Sequence, residues 1–128
     1  MIRLNTTSHD VEHNLRGKLI GCPDCDHKLT PWGHDRPRMI RNSLHDRRRV
    51  THIRRRRARC THCHKTHIIQ DPRLVNGHKD TARVIRHALT LRRHNQGYRK
   101  AADQLDRPES TVRNWYRKQQ TNPKWPCQ

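Results

Sequence analysis

Cys22-Pro23-Asp24-Cys25 and Cys60-Thr61-His62-Cys63 are two CxxC turns, and they decide how the first half of this chain folds. Two residues between cysteines let a tight turn aim both sulfurs at one point. Two such turns complete a tetrahedral set of four thiolates, closed to substrate, so the expected ion is one structural zinc held by Cys22, Cys25, Cys60 and Cys63. The residue after the second cysteine of each turn has to adopt a left-handed backbone. Glycine is common there; Asp26 and His64 stand there instead, and both residue types tolerate positive φ.

The segment that the two turns enclose is the most cationic of the chain. Arg36 to Arg59 holds eleven Arg and one acid, Asp46. Across all 128 residues, 29 Lys+Arg face 11 Asp+Glu, a formal charge of +18. Most of the cations are arginines, whose planar fork matches phosphates and guanine edges. A polyanionic partner follows, with nucleic acid well ahead of acidic membranes. No long apolar run and no bulky amphipathic face suits a membrane. Met1 to Leu19 lacks the apolar stretch of a secretory signal, so a cytoplasmic, nucleoid-associated protein is expected and the CxxC pairs read as metal ligands. With 30% hydrophobic residues and no Phe the core must be thin, which is where a metal staple helps most.

The expected fold class is α+β, in five segments. Residues 1–18 are polar and read as a flexible lead. Residues 19–70 form an N-terminal four-cysteine zinc ribbon of short antiparallel strands with a basic hairpin. Its apolar islands are Met39-Ile40, Val50-Thr51-His52-Ile53 and His67-Ile68-Ile69, and Trp32 reads as core. Val50 to Arg59 suits one exposed strand, with Arg55, Arg57 and Arg59 on one face and Arg54 and Arg56 on the other. Asn42-Ser43 and His45-Asp46 supply turn chemistry. Residues 71–79 are a linker.

Residues 80–119 change to helical spacing and read as a three-helix helix-turn-helix domain. Ala82, Val84, Ile85, Ala88, Leu89 and Leu91 recur at three- and four-residue intervals, with Asp80 as N-cap and Gly97 as C-cap. Tyr98 to Leu105 is a short helix, Asp106-Arg107-Pro108 a turn, and Glu109 to Gln119 the last helix with Pro108 at N1. Ala102, Leu105, Val112 and Trp115 are spaced to pack against Val84, Ile85, Ala88 and Leu89. Residues 120–128 are an extended tail in which Cys127 reads as a free thiol.

The order of motifs, from Cys22 through Trp32-Gly33-His34, Arg57-Ala58-Arg59-Cys60, Cys63, Thr66-His67 and Gly97-Tyr98-Arg99 to Trp115, resembles the N-terminal DNA-binding region of insertion-sequence transposases. It is more similar still to small standalone zinc-ribbon plus helix-turn-helix proteins of high-GC bacteria. The resemblance covers about residues 19–118. It implies a zinc ribbon followed by a helical DNA reader that recognises element ends or promoters. The catalytic domain of carboxylate-triad transposases is larger than the rest of this chain, so no enzyme is expected.

The function expected is therefore sequence-specific binding of double-stranded DNA, as a transposition-associated factor (accessory or truncated transposase) or a transcriptional regulator. The last helix would enter the major groove, with Ser110, Arg113, Asn114 and Arg117 reading bases. Arg47, Arg48, Arg49, Arg54, Arg55, Arg56, Arg57, Arg59, Arg99 and Thr111 would bind phosphates. No coiled-coil seam or apolar dimer patch is evident, which suits a monomer or weak homodimer. Two alternatives remain. One is a small metal-dependent nuclease built on His62, His64 and His67; the other is an RNA-binding zinc ribbon.

Overall fold

A computed structural model describes residues 2–3, 8–17 and 20–126, with side chains from Glu12 onward. Leu19, at the entry to the first CxxC turn, and Cys127 lie outside the described residues. The chain divides into two compact units: one takes in the chain up to Arg38 and then His52–Pro72, the other Met39–Thr51 and the chain from Arg73 onward.

The first unit is built on a sheet. Strands β1 (Ile2–Arg3), β2 (Leu29–His34), β5 (Arg56–Cys60) and β6 (Thr66–Gln70) lie in the order β1-β6-β5-β2. β1 runs parallel to β6 and the other pairings are antiparallel. Helix α1 (Ser8–Arg16) packs against β2 and buries Leu15 completely. The polar lead expected over residues 1–18 thus contains a helix and a strand. The sequence hid them because a nine-residue helix with two apolar residues, Val11 and Leu15, shows too short a period to stand out from its polar surroundings. Leu15 joins Ile20, Cys22, Leu29, Ala58, Cys60 and Ile69 in a small core on which the cysteines sit.

Strand β3 (Arg38–Arg41) pairs with β4 (Val50–Ile53) as a separate two-stranded sheet, of which Met39–Arg41 and Val50–Thr51 fall in the second unit. Helices α2 (Ala82–Arg93), α3 (Tyr98–Leu105) and α4 (Glu109–Thr121) pack around one core. That core contains all eight of the positions expected to meet, and adds Val75, Ala82, Leu91, Ala101 and Tyr116. Tyr116 is held by its hydroxyl, which donates to the carbonyls of Ala88 and Gln96.

Several helix ends differ from expectation. Thr81, not Asp80, is the N-cap residue of α2, and neither side chain caps. The Thr81 hydroxyl donates to Asn42 Oδ1 at 2.7 Å, and Asp80 is committed to Arg107. Gly97 is the N-cap of α3; α2 ends instead at His94, followed by Asn95 in the left-handed region (φ 64°). Pro108 precedes α4 as its N-cap rather than opening it. Asp106 closes α3 at φ 53°, the geometry its residue type accepts. The tail is not extended: α4 continues to Thr121, turns follow, and Trp125 packs on the helical core.

The hairpin was expected in the ribbon, yet Met39–Thr51 belongs with the helices. Backbone bonds explain it. Arg41 donates to the Lys79 carbonyl and receives the Thr81 N–H, both near 3 Å. Ser43 and Asp46 shape the intervening loop, as expected of turn residues: the Ser43 hydroxyl accepts from the N–H groups of His45 and Asp46, and the Asp46 carboxylate from that of Arg48.

Candidate metal centre and cationic surfaces

The four cysteines converge. Their sulfurs all lie within 4.8 Å of one another, with Cys22 Sγ 3.7 Å from Cys63 Sγ and Cys25 Sγ 3.3 Å from Cys60 Sγ. No disulfide joins them. The two turns are copies. The carbonyl of Cys22 accepts the Asp26 N–H and that of Cys60 the His64 N–H; the Cys22 N–H donates to His27, and the Cys60 N–H to Lys65. Asp26 (φ 64°) and His64 (φ 62°) take the left-handed position that closes each turn. The second turn also points the backbone N–H groups of His62 and Cys63 at Cys60 Sγ, at 3.4 and 3.5 Å.

Electrostatics separates the thiols. Burial raises the Cys60 thiol, but the N–H groups of Cys63 and His62 and the neighbouring sulfurs outweigh it and bring it down to about 6. For Cys25 the His27 backbone works downward, while burial and hydrogen bonds with the other three cysteines push it up to about 12. Between these two, the thiolate form is favoured at Cys60, where backbone N–H groups face the sulfur, and disfavoured at Cys25. A tetrahedral zinc–thiolate geometry sets sulfurs about 3.8 Å apart, so the cluster needs only small adjustments to hold one ion.

Of the three histidines on which the nuclease alternative rests, His62 and His64 are exposed and His67 is not. Its side chain is 9% exposed, with Nε2 3.5 Å from Cys22 Sγ and 3.9 Å from Asp24. Its position on β6, level with Ala58, brings it there.

The arginine run is divided rather than alternating. β4 ends at Ile53 and β5 starts at Arg56, because Arg54 and Arg55 are tied to Asp35. Arg55 donates to the Asp35 carboxylate at 2.7 Å, the Arg54 Nε donates to its carbonyl, and the Asp35 N–H donates to Arg55. The Arg55 hydrogen bond, with help from Arg36, holds the Asp35 carboxyl below its ordinary 3.8. Arg56 pairs with Glu12 at 2.9 Å. Arg55 and Arg56 are thus structural cations. Arg57 and Arg59 share one sheet face, level with Ile68 and Thr66 across the strand pair, and pair with no carboxylate among the described residues.

In the second unit, Ser110, Arg113, Asn114 and Arg117 are all exposed on α4, and Thr111 is half-buried. Arg99 lies 3.9 Å from Glu109, and both Arg99 and Arg113 approach the Tyr98 ring at 5.8 Å. Beside the start of α4 a cavity of about 550 Å³ is lined by Arg41, Arg47, His78, Lys79 and Thr111. Its floor residues Asp80 and Arg107 neutralise each other. Arg107, 1% exposed at its side chain, meets Asp80 at 2.6 Å and donates to the carbonyls of Leu105 and Ser43. The Arg47 N–H donates to Asp106, so the loop carrying exposed Arg47, Arg48 and Arg49 is fastened to the α3–α4 turn. Sequence reading found these arginines but not the Asp80–Arg107 pair that holds their loop.

No described helix is long and apolar enough to cross a membrane. In comparisons with known proteins, no protein-family model, no curated protein and no solved structure matches the chain.

Proposed function

We propose that this chain is a sequence-specific double-stranded DNA-binding protein, with α3 and α4 as a helix-turn-helix and the four cysteines holding one structural zinc. The observation that carries the reading is the surface of α4. Ser110, Arg113, Asn114 and Arg117 are exposed together, and the start of the helix adjoins a cavity whose uncommitted cations are Arg41, Arg47 and Lys79. Arg113 has the fork for a guanine edge and Asn114 the amide for an adenine. The cations and the Arg47–Arg49 loop supply phosphate contacts that fix register without choosing sequence.

Zinc fits the donor set because four thiolates on two matched turns are the ligand pattern of closed structural sites. Its role here is to hold β2, β5 and β6 around a core of few apolar residues. The resemblance to transposase DNA-binding regions supports a role at mobile-element ends or promoters. The nuclease alternative needs a metal centre of its own. The second cluster among the described residues, Cys22, Asp24 and His67, shares Cys22 with the first and gives that alternative no separate ion.

Gel shifts with genomic fragments across a salt series test the proposal. Binding should weaken steeply with salt, as released counterions demand. Absence of binding to every fragment at low salt would overturn it.

A further inference from the structure

We infer that the outer sheet face of the first unit is a stacking platform for an unpaired base of single-stranded DNA, centred on Trp32. A tryptophan in so small a chain is expected inside, where its large apolar surface is covered. Trp32 is 47% exposed instead. Its placement is built. The pairing of β2 with β5 shifts register between Pro31 and His34, a bulge that contains Trp32 and Gly33. Gly33 sits at φ +72°, which a side chain would oppose. Arg56 then pins the bulge by donating to the Gly33 carbonyl at 3.2 Å, while its own charge is met by Glu12.

The exposed ring is also oriented. The Arg59 guanidinium lies 4.5 Å from the Trp32 ring centroid, a cation–π contact that holds the indole against the sheet. Arg57 shares the face of Arg59, with Ile68 opposite it and Thr66 and Thr30 opposite Arg59. The face thus offers one held aromatic plane, an apolar neighbour and two guanidiniums that no carboxylate of the described residues engages. A base brings a π-face for the first and its flanking phosphates bring charge for the others, the combination by which single strands are held without sequence preference. In a duplex the same base is stacked on its neighbours and unavailable. Choosing DNA over RNA rests on the proposed function, because a chain that holds duplex DNA is presented with DNA strands wherever that duplex opens or ends.

The test uses the zinc-loaded full chain and fluorescent dT15 at low salt, read by anisotropy, beside a duplex of random sequence and rU15. Trp32→Ala should weaken dT15 binding roughly tenfold or more and leave duplex affinity within about twofold, with Trp32→Phe intermediate. Zinc content of Trp32→Ala should match the parent and its thermal melt should fall only by what the half-covered ring and its Arg59 contact supply. Unchanged dT15 affinity in Trp32→Ala, or an equal loss on duplex and single strand, overturns the platform. Tighter binding of rU15 than dT15 overturns the assignment to DNA. A parent protein that binds duplex but not dT15 refutes this inference alone; one that binds neither refutes the proposed function as well.

Discussion

Replacing Arg107 by alanine should strongly destabilise the helical unit. Its guanidinium is 1% exposed and makes three short contacts: to Asp80 at 2.6 Å, to the Leu105 carbonyl at 2.6 Å and to the Ser43 carbonyl at 2.7 Å. Truncation leaves the Asp80 carboxylate buried without its cation, and removing one partner of a buried pair costs about 3–5 kcal/mol. For a unit this small each kcal/mol lowers the melting temperature by about 4–8 °C, so a fall of at least about 12 °C is expected. The double replacement Asp80→Leu with Arg107→Met removes both charges and fills the space. It should recover most of the loss, because matched apolar residues often replace buried ion pairs without penalty. Urea unfolding followed by helical circular dichroism measures both variants. An Arg107→Ala protein within about 1 kcal/mol of the parent, or a double variant no better than the single one, would refute the assignment of the pair as the fastening of the Ser43 loop.

Cys60→Ser should abolish zinc uptake and unfold the first unit while leaving the helical signal of α2–α4, since structural zinc supplies much of the folding energy of such units; retained zinc and an unchanged melt would refute the ligand set. Burial, then the charge of Lys118, whose Nζ lies 3.0 Å from His78 Nε2, keeps the His78 imidazole below its ordinary 6.5. The unfolded chain therefore takes up a proton that the folded one refuses, so this contribution is present above pH 6.5 and is lost as pH falls through the folded value. Lys118→Gln should raise the His78 midpoint in an NMR titration, and an unmoved midpoint would contradict the cause given. Asp35→Asn should cost about 1 kcal/mol near neutral pH. Because the Asp35 carboxyl is held low, that difference from the parent should disappear as pH falls through its folded value; a difference that persists in acid would refute it.

Local spacing made much of this protein legible. The CxxC turns and the Asp26 and His64 positions state their own geometry, and the periodic apolar residues of α2–α4 met as their intervals required. What escaped notice depends on partners far apart in sequence. Arg55 is neutralised by Asp35, 20 residues away, Arg56 by Glu12, 44 away, and Arg107 by Asp80, 27 away. A run of arginines looks uniform until those acids are placed, and only then does it separate into structural cations and the uncommitted Arg57 and Arg59. Trp32 was expected inside because Trp usually is; a bulge needing one positive-φ glycine and one pinning arginine turns it outward. The hairpin over Met39–Thr51 groups with the helices through backbone bonds to Lys79 and Thr81, which no side-chain pattern announces.

The central claim is that α4 chooses the sequence. Selection from a randomised duplex pool, followed by affinity measurement for parent and Arg113→Ala on the selected site and on random duplex, tests it most directly. The account predicts that one motif is enriched, and that Arg113→Ala loses about 1–3 kcal/mol at a single base position while keeping its affinity for random DNA. No enrichment, or an equal loss on both duplexes, would contradict it.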